Sequence, residues 1–158
     1  MEFSTKEDIE APIAFVWQQV TDFAAFERQA LRRGADVSRR DTLTRPGVGS
    51  GWDVKFLYRG KERKLSANIT NFDPPNTYTI VASSGGIDGN SVVDLVALSR
   101  GRTRLTVNID LTAKSLAARL MLQSLKLAKS SLNRRFVGRV QSMSEDMQER
   151  YRRQQAGA

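Results

Sequence analysis

Residues 103–147, TRLTVNIDLTAKSLAARLMLQSLKLAKSSLNRRFVGRVQSMSEDM, change character once, at Lys114. Up to Thr112 the run is short and rich in Thr, Val and Ile, which predicts a β-strand over 103–112. Beyond Lys114, residues Ala118, Met121, Leu122, Leu125, Leu132, Phe136, Val140, Met143 and Met147 fall within a stripe of about 100° at helical spacing. That pattern predicts one long amphipathic helix running to about Arg153. A helix with one apolar stripe needs a sheet to pack on, and the chain upstream supplies it.

From Ala35 onward, turn signals at Pro46-Gly47, Arg59-Gly60, Pro74-Pro75, Gly85-Gly86 and Arg100-Gly101 separate short runs rich in Val, Ile, Thr and aromatics. They predict antiparallel strands over 36–43, 51–59, 62–72, 77–84, 90–99 and 103–112. Residues 2–10 set Phe3, Thr5 and Ile9 against Ser4, Lys6, Asp8 and Glu10, a further strand of period two. Pro12 then opens a short helix carrying Ile13, Val16, Trp17 and Val20. Asp22 caps a second one with Phe23, Phe26, Ala30 and Leu31, closed by Gly34. There is no internal repeat and no linker, and 158 residues suffice for one core, so residues 1–158 read as a single domain. The expected class is α+β: a seven-stranded curved antiparallel sheet wrapped around a long C-terminal helix, with two short helices between strands 1 and 2.

Several short motifs in this order carry a resemblance. They are Ile9-Glu10-Ala11-Pro12 with Val16-Trp17 and Thr21-Asp22-Phe23, then Gly47-Val48-Gly49-Ser50-Gly51-Trp52, then Phe72-Asp73-Pro74-Pro75, and finally Gly101-Arg102-Thr103-Arg104-Leu105-Thr106. Spanning nearly the whole chain, the set resembles the START-like, Bet v 1 and polyketide cyclase (SRPBCC) superfamily, whose architecture is the helix-grip fold. The resemblance implies a cavity between sheet and helix. The superfamily includes lipid and hormone carriers, aromatic cyclases, quinone-binding proteins and stress proteins, so the fold does not name an activity.

Composition narrows the chemistry further. The chain has no Cys and no His, which excludes Ser-His-Asp and Cys-His nucleophiles, thiolate or imidazole metal sites, disulfides and histidine acid/base work. No metal and no cofactor are expected. Carboxylate, lysine, tyrosine and hydroxyl groups remain, limiting catalysis to mild proton transfer or positioning in a pocket. The glycines of Gly47-Val48-Gly49-Ser50-Gly51 are spaced as in a phosphate loop, but they precede a strand and not a helix, so a turn is expected.

Candidate ligand-binding residues follow from strand alternation. Trp52, Val54, Phe56 and Tyr58 share one face of their strand, opposite Asp53, Lys55, Leu57 and Arg59. Val54 and Phe56 serve equally well as core, whereas Trp52 and Tyr58 join a large apolar body to a polar atom that needs a partner. Glu7 shares a face with Phe3, Thr5 and Ile9, and Asp94 with Val92, Val96 and Leu98. A carboxylate in an apolar cavity has a raised pKa and can act as acid or base. The competing reading turns each outward or pairs it with an arginine. Leu125 and Lys129 lie in the stripe of the long helix, where Lys129 either snorkels at the cavity mouth or binds an acidic ligand.

The net charge of +8 is concentrated at the C-terminal end, where residues 114–158 hold ten basic and three acidic side chains. Leu116, Leu120 and Leu127 form a second apolar cluster on this helix, flanked by Lys114, Arg119, Lys126 and Lys129. It either packs on neighbouring loops or faces a dimer partner or an anionic membrane. No aromatic residues interleave the basic groups, so nucleic acid is not an expected partner. The N-terminal residues lack the apolar run of a signal peptide and no membrane-span pattern occurs, which gives a cytoplasmic protein as the expectation. The expected function is binding or transport of a hydrophobic small molecule, a lipid, quinone or polyketide-like aromatic. The alternatives are a polyketide cyclase or dehydratase, or a membrane- or ribosome-associated quinone-linked protein.

Overall fold

The computed structural model describes residues 1–157. Seven strands form one antiparallel sheet in the order β1-β7-β6-β5-β4-β3-β2. They are β1 (Glu2–Ile9), β2 (Asp36–Arg39), β3 (Gly51–Tyr58), β4 (Lys61–Asp73), β5 (Thr77–Ser84), β6 (Ile87–Ser99) and β7 (Arg102–Ala113). From β2 to β7 each strand pairs with the next in sequence, as short turns allow, and β1 closes on β7 with Phe3 opposite Ile109 and Glu7 opposite Leu105. Register shifts at Ile69/Asn71 in β4 and Ala97/Ser99 in β6 interrupt the long strands. Irregularities of this kind bend a sheet, which here is curved.

Helices α1 (Ile13–Val20) and α2 (Phe23–Arg32) connect the two edge strands, α1 packing against β6 and β7 and α2 against β2. Asp22 caps α2 by accepting the Ala25 N–H, and Gly34 ends it at φ +90°, a backbone that favours glycine. Strand β2 stops at Arg39, short of the expected residue 43. The reason is local: Asp41 accepts the Gly51 and Leu43 N–H groups, and the chain turns around its carboxylate.

The expected long helix is two, α3 (Leu116–Leu127) and α4 (Lys129–Ala156). Ala128 leaves helical geometry at φ −101°, ψ 11°. The two helices have different tasks. Arg59, at the β3–β4 turn, donates to Ser124 Oγ of α3, while α4 runs along β1 with Phe136 edge-on to Phe3.

Packing divides the inner face of the sheet into a solid end and a hollow one. Ile9, Val16, Val20, Ile69, Leu95, Leu105 and Met147 are almost wholly buried and fill the space beneath α1 and the second half of α4. Buried polar groups there are satisfied: Thr103 Oγ1 donates to Ala11 O, Tyr78 Oη to Val20 O and Ser144 Oγ to Val140 O. The hollow end lies under α3 and the first turns of α4.

Candidate ligand cavity

The hollow begins with strand alternation. Gly51 to Tyr58 alternate across β3, so Trp52, Val54, Phe56 and Tyr58 face inward. A chamber of about 390 Å³, wide open to solvent on one side, is lined by Met1, Phe3, Phe56, Tyr58, Ile109, Leu111, Leu125, Leu132 and Phe136. The Tyr58 hydroxyl is the one polar side-chain group in that wall. A second space of about 510 Å³ lies between the β3–β4 hairpin and α3, where Phe56, Tyr58 and Leu125 are shared with the first and Arg63, Ile87, Ala118 and Met121 are added. A smaller recess of about 250 Å³ lies further along the sheet, between Phe23, Phe26, Trp52, Val54, Tyr78 and Ile80.

The structure brings Trp52, Val54, Phe56, Tyr58 and Leu125 into these walls. Tyr58 is half-buried, and its hydroxyl makes no hydrogen bond among the described residues. Trp52 differs, because its indole N–H donates to Glu27 Oε1 at 2.7 Å. Its polar atom is therefore engaged within the protein. The Arg39 guanidinium covers the same indole at 5.2 Å.

Three candidates stand apart from the hollow. Asp94 is exposed, because β6 turns Val93 and Leu95 inward and sets Asp94 on the outer face with Val96 and Leu98. Both faces of this strand carry apolar residues, and alternation by itself selected the outer one. Glu7 does face inward, half-buried, but it follows Phe3 by four strand residues, about 13 Å along β1. It has no hydrogen bond or ion pair among the described residues. Lys129 is exposed at the start of α4. The interruption at Ala128 removes the continuous stripe that gave it an inward position.

Arg63 emerges only from the structure. It lies opposite Phe56 in the β3–β4 ladder, on the inner face with Leu65, Ala67 and Ile69. Its Nε is buried with no hydrogen-bond partner, and the guanidinium forms no ion pair among the described residues. The residue as a whole is half-buried, and an unpartnered buried N–H donor of this kind is uncommon in folded proteins. In sequence, Lys61-Glu62-Arg63-Lys64 reads as a charged hairpin end, which hid its inward direction.

The glycine-rich segment is a turn, as expected. Its amides are already bonded: Gly47 N–H to Ser50 Oγ, Gly49 N–H to Ile69 O and Ser50 N–H to Gly47 O. Asp41 ties this turn to β2. Arg39 bonds both of its carboxylate oxygens, and with the Gly51 and Leu43 N–H groups this holds the carboxyl well below the ordinary carboxylate range. Burial pushes the Tyr78 hydroxyl up, so it stays protonated as the donor to Val20 O. Among the described residues no group of three or more acidic side chains is gathered as a metal ion needs.

No family model matches the sequence, and no curated protein is significantly similar to it. Solved structures are similar in shape. The Zhui aromatase/cyclase from Streptomyces sp. R1128 superimposes with a TM-score of 0.70 at 12% identity, over 96% of this chain and 95% of that one. This chain adopts the helix-grip fold. Norcoclaurine synthase from Thalictrum flavum, a point mutant in complex with a transition-state analogue, gives a TM-score of 0.65 at 13% identity over 96% of each chain. Ara h 8.0201 gives 0.58 at 17% identity, over 90% of this chain and 98% of that one. These matches bear out the expected helix-grip architecture of the START-like and Bet v 1 superfamily, and at such identities they speak for the fold alone.

Proposed function

We propose that the protein binds a hydrophobic small molecule, a lipid, quinone or polyketide-like aromatic, in the chamber under α3 and α4. The observation that carries this reading is the 390 Å³ chamber whose wall holds a single polar side-chain group, the Tyr58 hydroxyl. Apolar side chains around an open recess leave their surface in contact with water, and covering it is favourable by roughly 25 cal/mol per Å². An apolar ligand covers that surface, and the volume is of the size that small-molecule sites have. Tyr58 and Arg63 supply the polar contact, which suits a ligand with an oxygen atom, best an anionic one, at one end.

One observation favours a second reading, cyclase or dehydratase chemistry: Tyr58 and Arg63 line the same space between the hairpin and α3. They are a hydroxyl and a cation at the edge of an apolar cavity, able to position and polarise a carbonyl oxygen. Binding is preferred because the chamber beyond them, unlike the shared space that Glu62 also lines, is walled by apolar side chains and the Tyr58 hydroxyl.

Native mass spectrometry of protein purified without denaturation tests the proposal. The expected result is a retained small molecule that solvent extraction removes and that rebinds one to one. Protein that retains nothing, and takes up no fatty acid, quinone or polycyclic aromatic on incubation, would overturn it.

A further inference from the structure

Helix α3 is apolar on two opposite faces. Inward, Ala118 and Leu122 are buried and Leu125 lines the chamber. Outward, Leu116, Leu120 and Leu127 are 74%, 59% and 91% exposed. At 100° per residue these three fall within an arc of about 40°, a coherent stripe rather than scattered leucines. The loops that might have covered the stripe do not reach it.

The charged side chains that α3 itself carries have one sign, with Glu62 of the β3–β4 hairpin the nearby acid on the far side of Ala117. Arg119 and Lys126 lie side by side along one flank, and α3 contains no acidic residue. Lys129 begins the next helix, and Arg59 is held against Ser124 from the β3–β4 turn. None of these four cations is in an ion pair among the described residues; Lys114, just before α3, pairs with Asp88 at 2.7 Å.

We propose that the outer face of α3 docks on an anionic lipid surface. At 12 residues the helix is about 18 Å long, too short to cross a bilayer but suited to lying in its interface with Leu116, Leu120 and Leu127 immersed. The flanking cations then face lipid phosphates at the depth where charge is attracted. A second copy of this chain fits less well. A two-fold contact across α3 opposes Arg119 and Lys126 to themselves with no acid on the helix to compensate, and three leucines bury far less than a stable dimer requires.

Docking does not depend on the ligand reading, but it gives that reading a source. Leu127 ends α3 at the interruption, and Leu125 and Leu132 on either side of it line the chamber. The docked face is the outer side of the chamber wall, so a membrane-dissolved molecule would reach the cavity without crossing water.

Flotation with vesicles tests the inference. Wild-type protein should float with phosphatidylglycerol–phosphatidylcholine vesicles, float poorly with phosphatidylcholine alone, and be released as salt rises. The triple variant L116S/L120S/L127S and the charge variant R119E/K126E should each lose at least about tenfold in partitioning. Because all five side chains are exposed, circular dichroism and melting temperature should match wild type. Wild-type protein that ignores anionic vesicles, or variants that float as well as the parent, would overturn the proposal. So would a concentration-dependent dimer, seen by sedimentation, that the triple serine variant abolishes. Uptake of a soluble hydrophobic probe by all three proteins separates this outcome from failure of the cavity reading.

Discussion

Trp52 of β3 donates its indole N–H to Glu27 of α2 at 2.7 Å, and the same carboxylate lies 3.5 Å from the Arg39 guanidinium. This pair ties β3, the strand next to edge strand β2, to the second short helix. It is a fastening of the fold, since both polar partners lie within the chain. Glu27→Ala should therefore lower stability by about 1–3 kcal/mol in urea unfolding, the cost of leaving a buried donor unpaired. Ligand affinity in the chamber under α3 should stay within about twofold, because the sites share no partner.

The two inward tyrosines should separate binding from stability. Tyr58 lines the chamber with a hydroxyl that has no partner among the described residues, whereas the buried Tyr78 hydroxyl is bonded to Val20 O at 2.8 Å. Tyr58→Phe should weaken ligand binding by about 2- to 12-fold with little change in melting temperature. Tyr78→Phe should cost about 1 kcal/mol of stability and leave affinity alone. Calorimetric melting and ligand titration on the same preparations check both. Glu7→Gln, distant from the chamber, and Asp94→Asn, on the outer face of the sheet, should leave ligand affinity unchanged.

Arg63 gives the ligand's polar end a test. Arg63→Met removes a cation whose Nε is buried without a partner. The ligand-free variant should be as stable as wild type or more so, because a buried donor without a partner is lost. Affinity for a hydrophobic carboxylic acid should fall about tenfold or more relative to its methyl ester, whose binding should persist. Parallel loss of both would assign Arg63 to structure instead.

Stability at acid pH should follow Asp41. Its carboxyl lies below the ordinary value of 3.8, first through the Arg39 hydrogen bonds and then through the Gly51 N–H. A depressed folded-state pKa contributes stability that is fully present above the unfolded value and is lost as pH falls through the folded one. Asp8, held by Arg104, and Asp88, held by Lys114, add in the same direction. Asp41→Asn should lower the melting temperature at pH 7, and the gap between variant and wild type should narrow as pH drops below 3.8. A gap that stays constant across that range would contradict this role.

Much of this was legible in the chain, and the limits have physical causes. Alternation over Trp52, Val54, Phe56 and Tyr58 was readable because the opposite face carries Asp53, Lys55 and Arg59. In β6 both faces are apolar, so only pairing with β5 and β7 decides that Val93 and Leu95 go in and Asp94 goes out. The interruption at Ala128 left no mark, since alanine is the best helix former and the stripe continues on both sides. Arg63 was hidden by its charged neighbours, and the Trp52–Glu27 bond joins residues 25 positions apart, beyond any local pattern.

The central claim is that the chamber between Phe56, Tyr58, Leu125, Leu132 and Phe136 holds an apolar ligand, and a filled chamber tests it most directly. The measurement is a fluorescence titration with anilinonaphthalene sulfonate, a hydrophobic anion, against wild type, Leu132→Trp and the triple serine variant of α3. The account predicts saturable one-to-one binding to wild type and to the serine variant, and its loss in Leu132→Trp with the fold intact by circular dichroism. Binding that survives in Leu132→Trp, or that disappears with the surface leucines, would contradict it.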